Sequence, residues 1–403
     1  MKNKIKRKRI LAISMDLLWS ILAMVILNAT IQLVLYPQLH VRMNDAPFGD
    51  MLTLLSVVSI IATSFGSAAN YARMFASTKN KAYSSDYLNY LFLTSLVCFP
   101  VLLIVLKTIN DLSIRTAILF GLLTLVSLLR YYGDVEYRLC LDYHKYFFYY
   151  FCMATTYVFS LIVFKQAAQW YYILILGEMG AICFAATTSP LFRGYTLAPT
   201  EFFRTNSIGW IQLSLSNLIS AIVLNADRII IRYLVGSEAV TVFYVATLLG
   251  KVVAMVGTPM NGVLIGYITK YKNQIKKKTV LLMEGISMVT VPILGLCCVL
   301  GTKIIIPVLY PNVLDSNYFF VLIACLGQVL YFISNTLMVF IMQMYGEQMA
   351  LWISIGYGVI FFAVAIPMVF SFRLMGMAYA ILIVNAIKMG AIVLLSHFSM
   401  DVC

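Results

Sequence analysis

The sequence predicts an all-α membrane protein, with about twelve transmembrane helices arranged as two pseudo-symmetric six-helix bundles. Three observations carry this reading. Of the 403 residues, 62% are hydrophobic and 11% charged, against about 45–50% and about 25% in soluble domains. The apolar residues form continuous runs of the length that crosses a bilayer as a helix, about 20 residues, rather than the alternating segments of a membrane barrel. Finally, a Leu-Asn-Ala triplet at 27–29 recurs at 224–226, about half a chain away.

The elements follow in order. The basic opening "MKNKIKRKRI" precedes an apolar run longer than the 7–15 residues typical of a cleaved signal core. It therefore reads as an uncleaved first span near 14–37. Further spans are expected near 50–76, 87–108, 114–134, 146–165, 169–188, 209–235, 239–268, 279–300, 317–343, 347–371 and 374–398. Pro100, Pro259, Pro292 and Pro367 fall inside spans and should kink them. The loops are short, so no soluble domain is expected.

Lysine and arginine concentrate on one side of this arrangement. Lys2, Lys4, Lys6, Arg7, Lys8 and Arg9 begin the series. Arg73, Lys79 and Lys81 follow, then Arg130, Arg138 and Lys145, then Arg193 and Arg204, and lastly the lysines of 270–278. Basic loops stay in the cytoplasm, which places both termini there. A basic surface facing anionic headgroups accounts for the net charge of +13. No basic stripe with interleaved stacking aromatics points to nucleic acid. The eight cysteines include no Cys-x-x-Cys pair, and His40, His144 and His397 are scattered, so no metal centre is expected.

The Leu-Asn-Ala repeat brings the first span onto the seventh, the second onto the eighth, and Arg73 onto Lys270. This register implies a parallel repeat: an N-lobe over 1–188, a cytoplasmic linker over 189–208 and a C-lobe over 209–403. Lobes related in this way belong to transporters, in which cargo binds between lobes and access alternates.

Polar residues inside spans are costly and usually functional, so they are the candidate site. On the seventh span, Ser216, Ser220 and Asp227 share one stripe, and Asn217, Arg228 and Arg232 a second. Arg228, Lys251 and Lys388 are the candidate cargo-binding cations. Asn28, Gln32, Asn217, Ser220 and Asn225 are the candidate polar lining, and Asp227 and Glu178 the candidate carriers of a coupling ion. Each has a structural alternative. Arg232, and to a lesser degree Arg228, can snorkel to the headgroups. Lys251 and Glu178 can serve simply as halves of ion pairs, and the amides can bond across helices.

At four stretches the sequence resembles the polysaccharide and O-antigen flippases of the multidrug/oligosaccharidyl-lipid/polysaccharide exporter superfamily. The first is "LYPQLHVRMNDAPFGDMLTLLSVVSIIATSFGSA", with its Phe48-Gly49. The second is "LNADRIIIRYLVGSEAVTVFYVATLLGKVVAMVGTP", with Asp227-Arg228, Gly236, Tyr244-Val245-Ala246 and Pro259. "MQMYGEQMALWIS" and "FRLMGMAYAILIVN" complete the set.

The resemblance implies a non-enzymatic, MATE-like transporter of a bacterial cytoplasmic membrane. It would move a polyprenyl-diphosphate-linked oligosaccharide, an O-antigen or capsule repeat unit, from the inner to the outer leaflet. It implies no cofactor beyond possible H+ or Na+ coupling. The expected partners are the lipid-linked glycan, membrane lipids and a polysaccharide polymerase or chain-length regulator, and a monomer suffices. An anionic diphosphate crossing hydrocarbon needs neutralising cations, which Arg228, Lys251 and Lys388 would supply. The alternatives are an ion-coupled drug or metabolite antiporter of the same superfamily and a membrane-embedded polysaccharide polymerase. The polymerase would need a large external loop, which this chain lacks.

Overall fold

A computed structural model describes the backbone of residues 2–79, 82–109, 113–270, 277–311, 313, 318–345 and 347–400. It describes side chains in 15–16, 18–77, 82–109, 113–166, 168–253, 282, 284–311, 313, 319–338, 349 and 352–397. All regular structure among these residues is helical.

Among the described residues, ten helical stretches are long and apolar enough to cross a membrane. In chain order the first seven are α1 (Leu18–Met43), α2 (Asp45–Ser77), α3 (Ser84–Thr108), α4 (Ile114–Leu139), α5 (Tyr143–Val163), α6 (Trp170–Thr188) and α7 (Phe203–Leu234). The helix Ser237–Lys270 is α8, followed by α9 (Glu284–Leu309) and α10 (Phe319–Met338). The last stretch, Trp352–His397, is 46 residues long. It turns back at Arg373, whose φ of 51° and ψ of −127° are not helical. The turn divides it into α11 (352–372) and α12 (374–397). Counted with α8 and this division, the spans number the twelve that the apolar runs imply.

The helices begin and end where local chemistry directs. Ser113 and Thr116 form a reciprocal capping box at the start of α4, each side chain accepting the other's backbone N–H at 3.1 Å. Two otherwise unpaired N–H groups are satisfied in this way. Helix α7 closes on Gly236 at φ 132°, which a side chain would disfavour. Its N–H and that of Val235 both reach the Ile231 carbonyl, at 3.0 and 2.8 Å. Two wide π-helical turns interrupt α1 at Thr30–Leu35 and α2 at Ala62–Gly66.

The chain forms two compact units. Unit 1 comprises Met1–Met43 and Thr53–Asn225; unit 2 comprises Asn44–Leu52 and Ala226–Cys403. The core of unit 1 is built on tyrosine: Tyr87, Tyr132 and Tyr149 are fully buried with Phe120. Tyr87 stacks on Tyr132 at 6.0 Å, and Trp210 stacks on Tyr90 at 4.8 Å. In unit 2 the fully buried large side chains include Phe48, Phe243, Tyr244, Tyr310 and Phe361.

The segment before α7 is held to α3 within unit 1. Asn89 donates to the carbonyls of Thr196 and Leu197, at 3.2 and 3.4 Å, and accepts from the Tyr195 hydroxyl at 2.6 Å. The fully buried Asp86 accepts the Thr200 hydroxyl at 2.5 Å and its N–H at 3.2 Å. Large apolar side chains such as Ile104, Phe159, Ile304, Val308 and Phe370 stand 65–82% exposed. In water such surface would drive aggregation; in a bilayer it meets lipid.

Candidate functional site

The charged residues of α7 and α8 meet inside unit 2. Asp227 is 3% exposed. Its Oδ2 accepts from the Lys251 ammonium at 2.8 Å, and its Oδ1 from the Arg228 backbone N–H at 2.9 Å. The carboxylate therefore uses both oxygens on neighbours that carry positive charge. Removing two charges from water costs several kcal/mol per ion, and their attraction repays this only with good geometry and further hydrogen bonds. The pair satisfies both conditions.

Arg228 projects one residue further round α7, with its guanidinium carbon 5.4 Å from the centroid of the Tyr244 ring. Tyr244 packs in turn against Phe48 at 6.0 Å and Tyr310 at 6.3 Å, and Phe48 lies 6.3 Å from Tyr310. Arg232, one turn beyond Arg228, is ion-paired to Asp50. Asp50 lies far away in the chain, and only the fold brings it near.

Gly49 explains how this corner closes. A Cβ at Gly49 would stand 1.9 Å from the Ser237 carbonyl oxygen, so only glycine lets the start of α2 lie against the start of α8. The Thr241 hydroxyl fastens the same approach, donating to the Asp45 carbonyl at 2.7 Å. The Phe48-Gly49, Asp227-Arg228 and Tyr244-x-Ala246 patterns, scattered in the sequence, thus converge at one place in unit 2.

Lys388 on α12 is 7% exposed. Its ammonium donates to Asn335 Oδ1 at 2.6 Å and lies over two tyrosine rings, Tyr331 at 5.1 Å and Tyr357 at 4.7 Å.

Glu178 lies in unit 1, and of its two sequence readings the structure displays the ion pair. Arg130 grips it with Nε at 2.6 Å and Nη2 at 3.2 Å, and the Tyr157 hydroxyl adds a third bond at 3.2 Å. Among the amides, Asn28 and Asn225 make the same local bond. Each donates to the carbonyl four residues back, Met24 or Ala221, at 2.9 Å. The repeated triplet therefore repeats a conformation as well as a spelling. Gln32 is buried in the wide turn of α1. Asn217 is half-buried and Ser220 exposed on α7.

Sequence reasoning passed over a polar network in unit 1. Asp134 accepts from Arg138 at 2.9 Å, from the Tyr150 hydroxyl at 2.9 Å and from Asn70. Arg73 pairs with Glu136 and donates to the Tyr132 hydroxyl at 3.1 Å. Arg73, Arg130 and Arg138 had counted only as cytoplasmic charges. The acidic residues of "GDVEYR" between two tyrosine-rich spans supply the partners of Arg73 and Arg138.

No family model matches the chain, and no curated protein matches its sequence. Solved structures do. One described as the lipid II flippase MurJ in an inward closed conformation aligns with a TM-score of 0.68 at 14% identity, over 94% of this chain and 87% of that one. An inward-facing multidrug resistance MATE family transporter of the MOP superfamily aligns at 0.64 and 12% identity, over 96% and 95%. The Vibrio cholerae MATE transporter VcmN in its bent form aligns at 0.58 and 12%, over 97% and 96%.

This is the MATE-type transporter fold. The alignments span nearly the whole chain. It agrees with the superfamily that the four sequence stretches resemble.

Proposed function

We propose that the chain is a flippase. It would carry a polyprenyl-diphosphate-linked oligosaccharide from the cytoplasmic to the outer leaflet of a bacterial cytoplasmic membrane by alternating access, with both termini in the cytoplasm. The lobes of that cycle would be the two halves of the sequence repeat, 1–188 and 209–403.

The observation that carries this reading is the set of basic side chains within the spans of unit 2. Arg228, Lys251 and Lys388 stand there, with Asp227 ion-paired to Lys251. Basic side chains inside spans suit a diphosphate. Arginine offers a planar fork of donors to phosphate oxygens, so Arg228 is the first contact and Lys251 reinforces it. A lipid II flippase and multidrug transporters share the fold, so the fold admits either cargo type. A cationic drug would want free carboxylates inside the spans. Asp227, Glu178, Asp134 and Glu136 each face a basic partner instead.

The test is reconstitution of the protein in vesicles with a fluorescent polyprenyl-diphosphate oligosaccharide, read by the fraction of label quenched from outside. Wild type is expected to speed transbilayer exchange. Arg228→Ala is expected to slow it at least tenfold, equivalent to about 1.4 kcal/mol. Vesicles that move no glycolipid but exchange cationic dyes would replace this reading with the antiporter.

A further inference from the structure

The described residues surround Lys388 with an amide oxygen and two tyrosine rings. Its ammonium has three N–H donors and no acceptor. One donor goes to Asn335 Oδ1 at 2.6 Å. The faces of Tyr331 and Tyr357 flank the rest, with their centroids 6.2 Å apart and their planes inclined at 36°. Aromatic faces set around an ammonium, with an oxygen completing the shell, are the arrangement by which proteins bind small cations as ligands.

A second observation points the same way. Asn385 lies one helical turn before Lys388 and is fully buried; its Nδ2 donates to the Gly327 carbonyl at 3.1 Å. Its Oδ1 is buried and finds no donor among the described residues. An acceptor left in this condition costs stability. Asn385 and Lys388, three apart on α12, share a helix face.

We propose that Asn335, Asn385, Tyr331 and Tyr357 form a monovalent-cation site, and that the chain fills this site permanently with its own Lys388 ammonium. The site would otherwise take a small organic ammonium. A tethered ammonium has no entropy of capture to lose and cannot be exchanged for sodium. Where the transporter reading holds, a consequence resting on it follows: unit 2 completes its cycle with no metal ion entering or leaving at this place.

The test uses the purified full-length protein in detergent and follows thermal unfolding by tryptophan fluorescence. Wild type is expected to unfold at one temperature in sodium, potassium or choline chloride. Lys388→Ala removes the equivalent of n-propylammonium. This variant is expected to melt several degrees lower, to recover with millimolar n-propylammonium chloride and not with n-propanol, and to lose that recovery when Asn335→Ala is added. Lys388→Met, close in volume but uncharged, is expected to stay destabilised in every salt.

A Lys388→Met protein as stable as wild type would reduce the cage to ordinary packing and overturn the proposal. Wild type stabilised by sodium over choline and potassium, through a response that Asn335→Ala abolishes, would overturn it too, because the site would then be open to exchange. If neither Lys388 variant folds, this salt series on wild type and Asn335→Ala still decides. None of these readouts uses cargo, so failure here is distinct from failure of the flippase reading.

Discussion

At the residue scale, the Asp227–Lys251 pair is the feature whose energetics are easiest to separate from its role in transport. With its partner gone, Lys251 would be left as a largely buried charge, and breaking such a pair costs about 3–5 kcal/mol. Asp227→Asn is therefore expected to lower stability by about 3 kcal/mol. Replacing both members, as in Asp227→Asn with Lys251→Met, is expected to recover most of the loss, because hydrophobic replacement of a whole pair is often neutral. A double-mutant cycle read by denaturant or thermal unfolding measures the coupling. If the single and double variants are equally destabilised, the pair is not the stabilising unit. Arg228 has a different environment. The Tyr244 ring stands against its guanidinium.

At the scale of elements, the close approach of α2 to α8 rests on Gly49. Gly49→Ala forces a Cβ into the Ser237 carbonyl, which is backbone and cannot step aside. The expected result is a loss of at least 1–3 kcal/mol, the usual cost of overpacking, with the Thr241–Asp45 bond as the first casualty. Hydrogen exchange at the start of α8 should rise in the variant; unchanged protection would refute the account. The Phe-Gly pattern was visible in the sequence, but its reason was not, because Gly49 and Ser237 are distant in the chain. The same limit explains the rest of the site. Spans, turn glycines and the repeated Leu-Asn-Ala are local features that hydropathy and spelling record. The pairing of Arg130 with Glu178, Arg73 with Glu136 and Arg232 with Asp50 depends on tertiary proximity, which no single-chain periodicity encodes. Lys388 was legible as an in-span cation, whereas its tyrosine cage, drawn from α10 and α11, was not. The wide turns in α1 and α2 also left no trace, since π-helical turns have no residue signature comparable to glycine or proline.

At the scale of the whole molecule, the described helices fit a twelve-span membrane protein, and the basic loops predict which way it sits. Green fluorescent protein fused after the C-terminus is expected to fluoresce, and alkaline phosphatase there to be inactive, since the former folds in the cytoplasm and the latter needs export. Phosphatase fused in the loop after Thr108 is expected to be active. The reverse pattern would invert the topology and, with it, the direction of the proposed transport. Surface charge and cargo charge are separate matters here. The net +13 belongs largely to loops facing lipid headgroups, while the cargo argument rests only on the few cations inside spans.

The stretch from Ser189 to Phe202 is where an engineer would first place an epitope, a split site or a protease target, because it joins two long helices and has no regular structure of its own. Asp86, Asn89 and Tyr195 argue against that choice. They tie the stretch down through a buried carboxylate and a set of side-chain bonds, so an insertion there breaks a fastening instead of lengthening a slack tether. Tags for purification or for antibody-assisted imaging belong in other loops, and a protease cut within this stretch would report the release of α3 from its strap.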